Sequence, residues 1–248
     1  MVLGEDDVGI DADEDTVSGK PAPSARIPLD RQRILAAALT FIDNNGLTNL
    51  TMRRLGGVLG VEAMSLYRYV PGRENLLDGV VETIINEMYD DEDIIPEPTD
   101  GWQDYLQRLA HGVRRVALAH PVAFPLIASR PPEAPWLRPP LRNLQWVESF
   151  LKALADEGFH DNAAVAAYRA FCSFLLGHLL LEVAARGADL GPLDVLDDGG
   201  QEPLSLAEYP HVDRMHGALA EDHSAAEFEE SLENLLDRIT LLRTNASV

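Results

Sequence analysis

Apolar residues recur every three or four positions along most of this chain, the spacing of one face of an α-helix. Ile34, Leu35, Ala38, Leu39, Phe41 and Ile42 form the first stripe, with Asp30 placed to cap its start and Gly46 to stop it. Met52, Leu55, Val58 and Leu59 form a second, shorter stripe behind a capping Thr51. Gly60 marks a turn, and the stretch from Glu62 to Tyr69 predicts another short helix. Pro71-Gly72 then breaks the chain, and Arg73 opens a helix through Leu76, Leu77, Val80, Val81, Ile84 and Ile85 to about Tyr89. Further stripes predict helices over Trp102 to Ala119, Leu141 to Glu157, Ala163 to Arg186 (capped by Asp161 or Asn162), Val212 to Glu221 and Ala225 to Arg243. Seven prolines between 121 and 140 leave room there for only a short helix, Phe124 to Ser129. Few β-branched runs and abundant Ala, Leu and Glu point the same way: the fold is expected to be all-α.

The stretch from Leu50 to Tyr69 organises the rest. Gly56 lies inside the first short helix, where it costs about 1 kcal/mol relative to Ala, so its use is to let a second helix come close. Val61 plugs the core, and Met64 or Leu66 turns inward. The opposite side shows Ala63, Ser65, Tyr67, Arg68 and Tyr69. Such spacing suits two helices that cross steeply through a tight turn, leaving the second exposed and able to enter a DNA major groove. The competing reading of this spacing is a helical hairpin inside an ordinary bundle.

With its flanking helices, the segment 27–85 resembles the DNA-binding domain of the tetracycline-repressor (TetR) family. The resemblance is carried by Leu59-Gly60-Val61, Leu66-Tyr67-Arg68-Tyr69-Val70 and the basic Arg73 opening the next helix. Trp102-Gln103-Asp104-Tyr105-Leu106, His120 and Ser129-Arg130-Pro131 extend it, resembling the start of the ligand-binding domain of the tetracycline repressors themselves. Where those repressors place a metal-binding histidine shortly before the Arg-Pro step, this chain has Leu126, Ile127 and Ala128, which argues against a magnesium-tetracycline ligand. The resemblance implies a three-helix reading domain followed by a larger helical domain for ligand binding and dimerisation. The expected division is an acidic tail at 1–26, a helix-turn-helix domain at 27–75 and a sensor at 76–248, with a mobile loop at 187–211.

Within the reading domain, Arg53 is the candidate for a bidentate guanine contact, and Ala63, Ser65 and Arg68 face the groove. Tyr67, Tyr69 and Arg73 are expected to hold phosphates, fixing register without reading sequence. Arg54 is left to solvent. Arg26 is the one residue of the tail suited to reaching the minor groove.

A formal net charge of −21 looks wrong for a DNA partner until it is apportioned. Residues 1–26 hold seven acids against Lys20 and Arg26, and lack helical periodicity, so they are expected to be disordered. Residues 27–75 hold six arginines against four acids and are the one positive segment. A small basic face on an acidic body predicts weak non-specific binding and strong salt dependence. A single cysteine, Cys172, no secretory signal and no long uncharged stretch fit a reducing cytoplasm and no membrane.

The segment 163–186 is apolar on nearly every side, so one face is expected to meet its own core and the other a second copy. Together with the stripe at 225–243 it predicts a homodimer, and two reading helices on a two-fold axis predict a palindromic operator. Phe124, Ile127, Trp136, Trp146, Phe150, Phe171, Phe174 and His178 are the candidates to line an effector cavity. His178 and Glu182 share a helix face and read as a hydrogen-bonded pair ahead of a metal site. His111 and His120 read as structural. Without a phosphate-cradling glycine loop, a Gly-x-Ser-x-Gly elbow or paired cysteines, no catalytic residue can be named and no cofactor or metal is expected. The expected function is therefore a ligand-responsive transcriptional repressor and not an enzyme. The alternative is a helical small-molecule-binding or enzymatic protein with an incidental helix-turn-helix.

Overall fold

The structure is a computed structural model and describes residues 28–90, 100–130, 134, 136–137, 143–188, 190 and 206–245; among these the regular structure is helical, joined by turns, bends and short irregular links. The acidic tail, Arg26 and most of the segment 187–211 lie outside the described residues.

Local chemistry sets the ends of the first helices. In α1 (Arg31–Asn45) the Asp30 carboxylate accepts from the Arg33 amide at 2.7 Å, and Gly46, at φ +81°, returns its N–H to Ile42 O. A single 3-10 turn, Leu47–Asn49, leads to α2 (Met52–Leu59), whose cap Thr51 accepts from the Arg54 amide. The Arg54 side chain is exposed, as expected, and is also tied: its Nη1 donates to the Asn49 carbonyl and to Asn49 Oδ1, at 3.0 and 2.7 Å, pinning α2 to the preceding turn. The buried residues of α2 are Met52, Leu55 and Gly56, while Val58 is 62% exposed, contrary to its place in the expected stripe. Positions 52, 55, 56 and 59 stand on one side of a 3.6-residue helix, and 58 falls off that side.

Gly60 adopts the left-handed conformation expected of it, and Val61 N–H bonds Gly56 O at 2.9 Å. A Cβ on Gly56 would stand 2.8 Å from Val61 O and 3.2 Å from Ala63 N, so the absent side chain is what lets the second helix approach. That helix, α3 (Ala63–Leu66), is shorter than Glu62 to Tyr69; residues 67–69 continue as turns, with Tyr69 and Val70 N–H both bonded to Leu66 O.

Helix α4 (Arg73–Asp90) runs against α1, where Gly79 faces the Leu35 side chain and Arg31 pairs with Glu82 at 2.8 Å. The rest of the described chain, within the segment expected to be the sensor, holds α5 (Trp102–Ala119), α6 (Leu126–Ser129), α7 (Leu144–Asp156), α8 (Asp161–Ala185), α9 (Pro210–Leu219) and α10 (Ser224–Asn245). From α6 onward the starts differ from expectation by one to three residues, and two of the shifts have a local cause. Helix α7 begins three residues late because Asn143 Oδ1 caps it at the Trp146 amide; α8 begins at Asp161 itself, behind His160, so the acid sits in the first turn at the positive end of the helix dipole.

Helix α8 is the spine, packed against α5, α7 and α10. An aromatic ladder holds it to α7: Phe150 stacks on Trp146 at 5.6 Å and meets Tyr168 edge-on at 5.6 Å and Phe171 at 5.5 Å. By length and composition α8 could cross a bilayer, but it carries a buried acid, Glu182. Arg114 of α5 donates to Glu182 from Nε at 3.0 Å and Nη2 at 2.7 Å, with Arg186 and Ser224 Oγ at 3.5 and 3.4 Å. His178 Nε2 lies 4.0 Å from the same carboxylate, too far for the expected hydrogen bond, and 3.2 Å from Ser224 O, so both residues join a larger cluster that anchors α10 without bonding each other. Leu181 on α8 and Leu241 on α10 remain exposed, and α9 buries no residue at all.

The two glycines of α2 predict opposite outcomes. Gly56→Ala forces backbone apart and is expected to destabilise by about 1–3 kcal/mol despite the gain in helix propensity. Gly57→Ala, with open space at its Cβ, is expected to stabilise by up to about 1 kcal/mol; urea midpoints read both. Arg114→Ala leaves Glu182 buried and short of its bidentate partner, with an expected loss of about 3 kcal/mol. Burial pushes the Glu182 carboxyl up, yet Arg114 outweighs it and the pKa falls below the ordinary carboxylate value. This stabilisation is present above the unfolded value and lost as pH falls through the depressed folded one, so Arg114→Ala should flatten the acid limb of a stability-pH profile.

Candidate nucleic-acid interface and effector cavity

Leu66 and Val70 are fully buried and fix α3 from beneath, against the core of α1, α2 and α4. Their neighbours therefore point outward. Ser65 and Arg68 are exposed, Tyr67 and Tyr69 are 42% and 36% exposed, and Ala63 is half-buried against Gly56. Of the pair offered as inward-facing, Leu66 takes the core and Met64 stands 74% exposed. Met64 was thus missing from the expected reading face; the two lie two positions apart on a one-turn helix, where periodicity alone does not choose between them.

Arg53 is exposed at the start of α2. Neither it nor Arg68 makes a hydrogen bond or ion pair with another described residue, so both guanidinium groups are available. Arg73 is different: half-buried, its Nη2 donates to Leu47 O at 3.3 Å, which ties the start of α4 to the turn after α1.

In the sensor a cavity of about 60 Å³ is walled by Ile85 and Met88 of α4, Val113 of α5, Phe124 and Ile127, Asn143 and Trp146, and Cys172, Leu175 and Leu176 of α8. Three of the expected lining residues come together here: Phe124, Ile127 and Trp146. Phe150 and Phe171 sit in the core behind Trp146, and Phe174 and His178 turn the other way, to pack on Phe228 of α10 at 5.6 and 5.2 Å. Trp136 is 75% exposed and lines no part of the cavity. The connecting helix was absent from the expected wall, although the stripe that carries Ile85 continues one turn to Met88.

No carboxylate or imidazole faces this space, and no cluster of three metal-ligating side chains occurs among the described residues. Burial pushes the Cys172 thiol well up, so it behaves as a small apolar group. Tyr89, next after Met88, has a buried hydroxyl with no hydrogen-bond partner among the described residues, and burial raises its pKa.

A second space, about 550 Å³, lies between the reading domain and the sensor. Gly46 to Thr48 and Leu77 line one side, and Val122, Pro125, Leu126, Ala128, Ser129 and Arg130 another. Helix α6 is therefore a partition: Ile127 faces the small cavity and Leu126 the larger space. It is moored to α4 by Arg130, whose guanidinium reaches Asp78 at 2.8 Å and Glu74 at 2.6 Å.

A family model described as tetracyclin repressor-like, C-terminal domain, matches residues 95–242. The class E tetracycline repressor of Escherichia coli is 31% identical over 160 residues, 64% of this chain and 71% of that protein. Among solved structures, a possible TetR family transcriptional regulator from Streptomyces coelicolor A3(2) aligns with a TM-score of 0.66 at 28% identity, covering 86% of this chain and 100% of that one. ActR of Streptomyces coelicolor, in complex with actinorhodin, aligns with a TM-score of 0.64 at 26% identity, covering 89% of this chain and 99% of that one.

Proposed function

Because the chain belongs to the tetracycline-repressor family of ligand-responsive, DNA-binding transcriptional regulators, we propose that it represses from a palindromic operator and is released when a small apolar or amphipathic molecule enters the sensor. The observation that carries this reading is the posture of α3: one buried side, Leu66 and Val70, and one exposed side of Met64, Ser65, Tyr67, Arg68 and Tyr69. Arg53 and Arg68 supply free guanidinium groups for guanine edges, Ala63 and Ser65 approach the bases, and Tyr67, Tyr69 and Arg73 hold phosphates. Met64 and Val58 add exposed apolar surface suited to thymine methyl groups.

Two copies join through 163–186 and 225–243. The support is apolar surface left open on one chain, Leu181 and Val165 of α8 and Leu241 of α10. The dimer works on DNA in the cytoplasm, by binding and not by catalysis.

The effector enters beside Trp146 and Phe124. A drug-sized ligand needs roughly 300–1,000 Å³, far more than the cavity offers, so entry displaces α6 toward the larger space behind it. Moving α6 pulls on Arg130 and hence on the start of α4, which carries the reading domain. A coupling of about 1–3 kcal/mol suffices to change operator affinity several-fold to a hundred-fold. The relative that holds actinorhodin suggests a polycyclic aromatic effector, and the uncharged lining suggests one bound without a metal.

Gel shifts with the chain's own upstream DNA test the reading. Arg53→Ala and Arg68→Ala are each expected to weaken binding by about 1–3 kcal/mol, and Met64→Ala to relax preference at T-containing positions. Undiminished binding by a folded double variant would remove the proposed interface. Actinorhodin, used as a probe, should quench Trp146 fluorescence equally with and without a magnesium chelator, and Trp146→Phe should abolish the quench. A strict requirement for magnesium would overturn the effector site.

A further inference from the structure

We propose that His120 is a proton-dependent clamp between the reading domain and the sensor, its ring bridging Asp43 of α1 and Glu87 of α4 from the end of α5. Nδ1 lies 2.6 Å from Asp43 Oδ2 and Nε2 lies 2.7 Å from Glu87 Oε2. The other oxygen of Asp43 accepts from the Ala123 amide at 3.3 Å, so the same carboxylate also holds the turn that leads into α6. Three pieces meet at one ring: α1 of the reading domain, the connecting helix, and the hinge of the effector-cavity wall.

The chemistry makes the junction depend on a proton. Carboxylates only accept hydrogen bonds, and a neutral imidazole has one N–H and one lone pair. Both contacts are satisfied at once only by the imidazolium. Deprotonation turns one into a lone pair facing a carboxylate across less than 3 Å, and the bridge must open on that side. Asp43 from α1 and Glu87 from α4 are the charged groups that face the ring, while the turn after α5 contributes the uncharged Ala123 amide, bonded to Asp43. The hydrogen bond to Asp43, opposed by burial and reinforced by Glu87, holds the imidazole above its ordinary pKa. A raised folded value means the clamp is at full strength below the unfolded histidine pKa and is lost as pH rises through the folded one. Mild alkalinity therefore releases one of the ring's two ties, to α1 or to α4, without any ligand.

The regulatory meaning of the clamp rests on the proposed DNA-binding reading; its titration does not. On the full chain, the His120 ring is followed by NMR across about pH 5 to 8, the range of histidine charge change, and somewhat above it. Ala123 amide exchange is measured alongside, corrected for its intrinsic pH dependence. The expected result is a His120 titration above the ordinary histidine value, with Ala123 protection falling in step as pH rises. Asp43→Asn and the half-exposed Glu87→Gln should each bring the titration back toward the ordinary value. Operator affinity should change several-fold more with pH in the wild type than in His120→Gln. A His120 that titrates at or below the ordinary value, or Ala123 protection indifferent to pH, overturns the clamp. Equal pH dependence of operator binding in wild type and His120→Gln overturns its regulatory role. Failure of the folded chain to bind its operator at any pH would sink the DNA-binding reading, leaving the titration and exchange to decide the clamp alone.

Discussion

Helix α4 belongs to two cores at once, and everything proposed for this chain depends on that. Leu76, Leu77, Val80, Val81 and Ile84 are fully buried, the first of them against α1 and the anchors of α3. Ile85 and Met88, one turn further, close the candidate effector cavity. Packed interiors are dense and deform little, so a helix buried along its whole stripe moves as a rod or not at all. The ties that steer the rod are polar and peripheral, among them Arg31 to Glu82, Arg73 to Leu47 O, Arg130 to Glu74 and Asp78, and His120 to Glu87. Apolar burial fixes what moves together, and the polar ties decide where it rests.

What was legible in the sequence follows the range of the interaction responsible. Asp30, Gly46, Thr51 and Gly60 act on amides within four residues, and each stands where its residue type placed it. The steep approach of α3 was legible for the same reason, since Gly56 is a local demand for space. Choices one turn wide were harder. Met64 against Leu66, and Val58 against Gly56, turn on rotations about a short axis that only the surrounding core resolves.

Partners distant in sequence were invisible. Glu182 could be paired with His178 four residues away but not with Arg114, 68 residues upstream, which makes the two short bonds. His120 read as structural because nothing near it in sequence announces Asp43 or Glu87, 77 and 33 residues away. The cavity suffered most. Aromatic residues at helical spacing mark a core in general, and Phe150 and Phe171 are core, whereas the aliphatic wall from α4 and α8 carries no signal that separates it from packing.

The lining of the cavity limits how a ligand can speak to DNA. With no charged side chain among the described residues facing the space, their part of the lining reads volume, not charge. Volume can act only on the wall that gives, and α6 is one turn long, flanked by prolines at 121 and 125, with open space behind it. The remaining walls are helices of thirteen residues or more, locked by the aromatic ladder and by Arg114 with Glu182. Displacement of α6 loads Arg130, and Arg130 holds Glu74 and Asp78 in the first two turns of α4, next to the reading helix. An uncharged ligand can thus move a charged interface, because the polar ties it strains lie between the two.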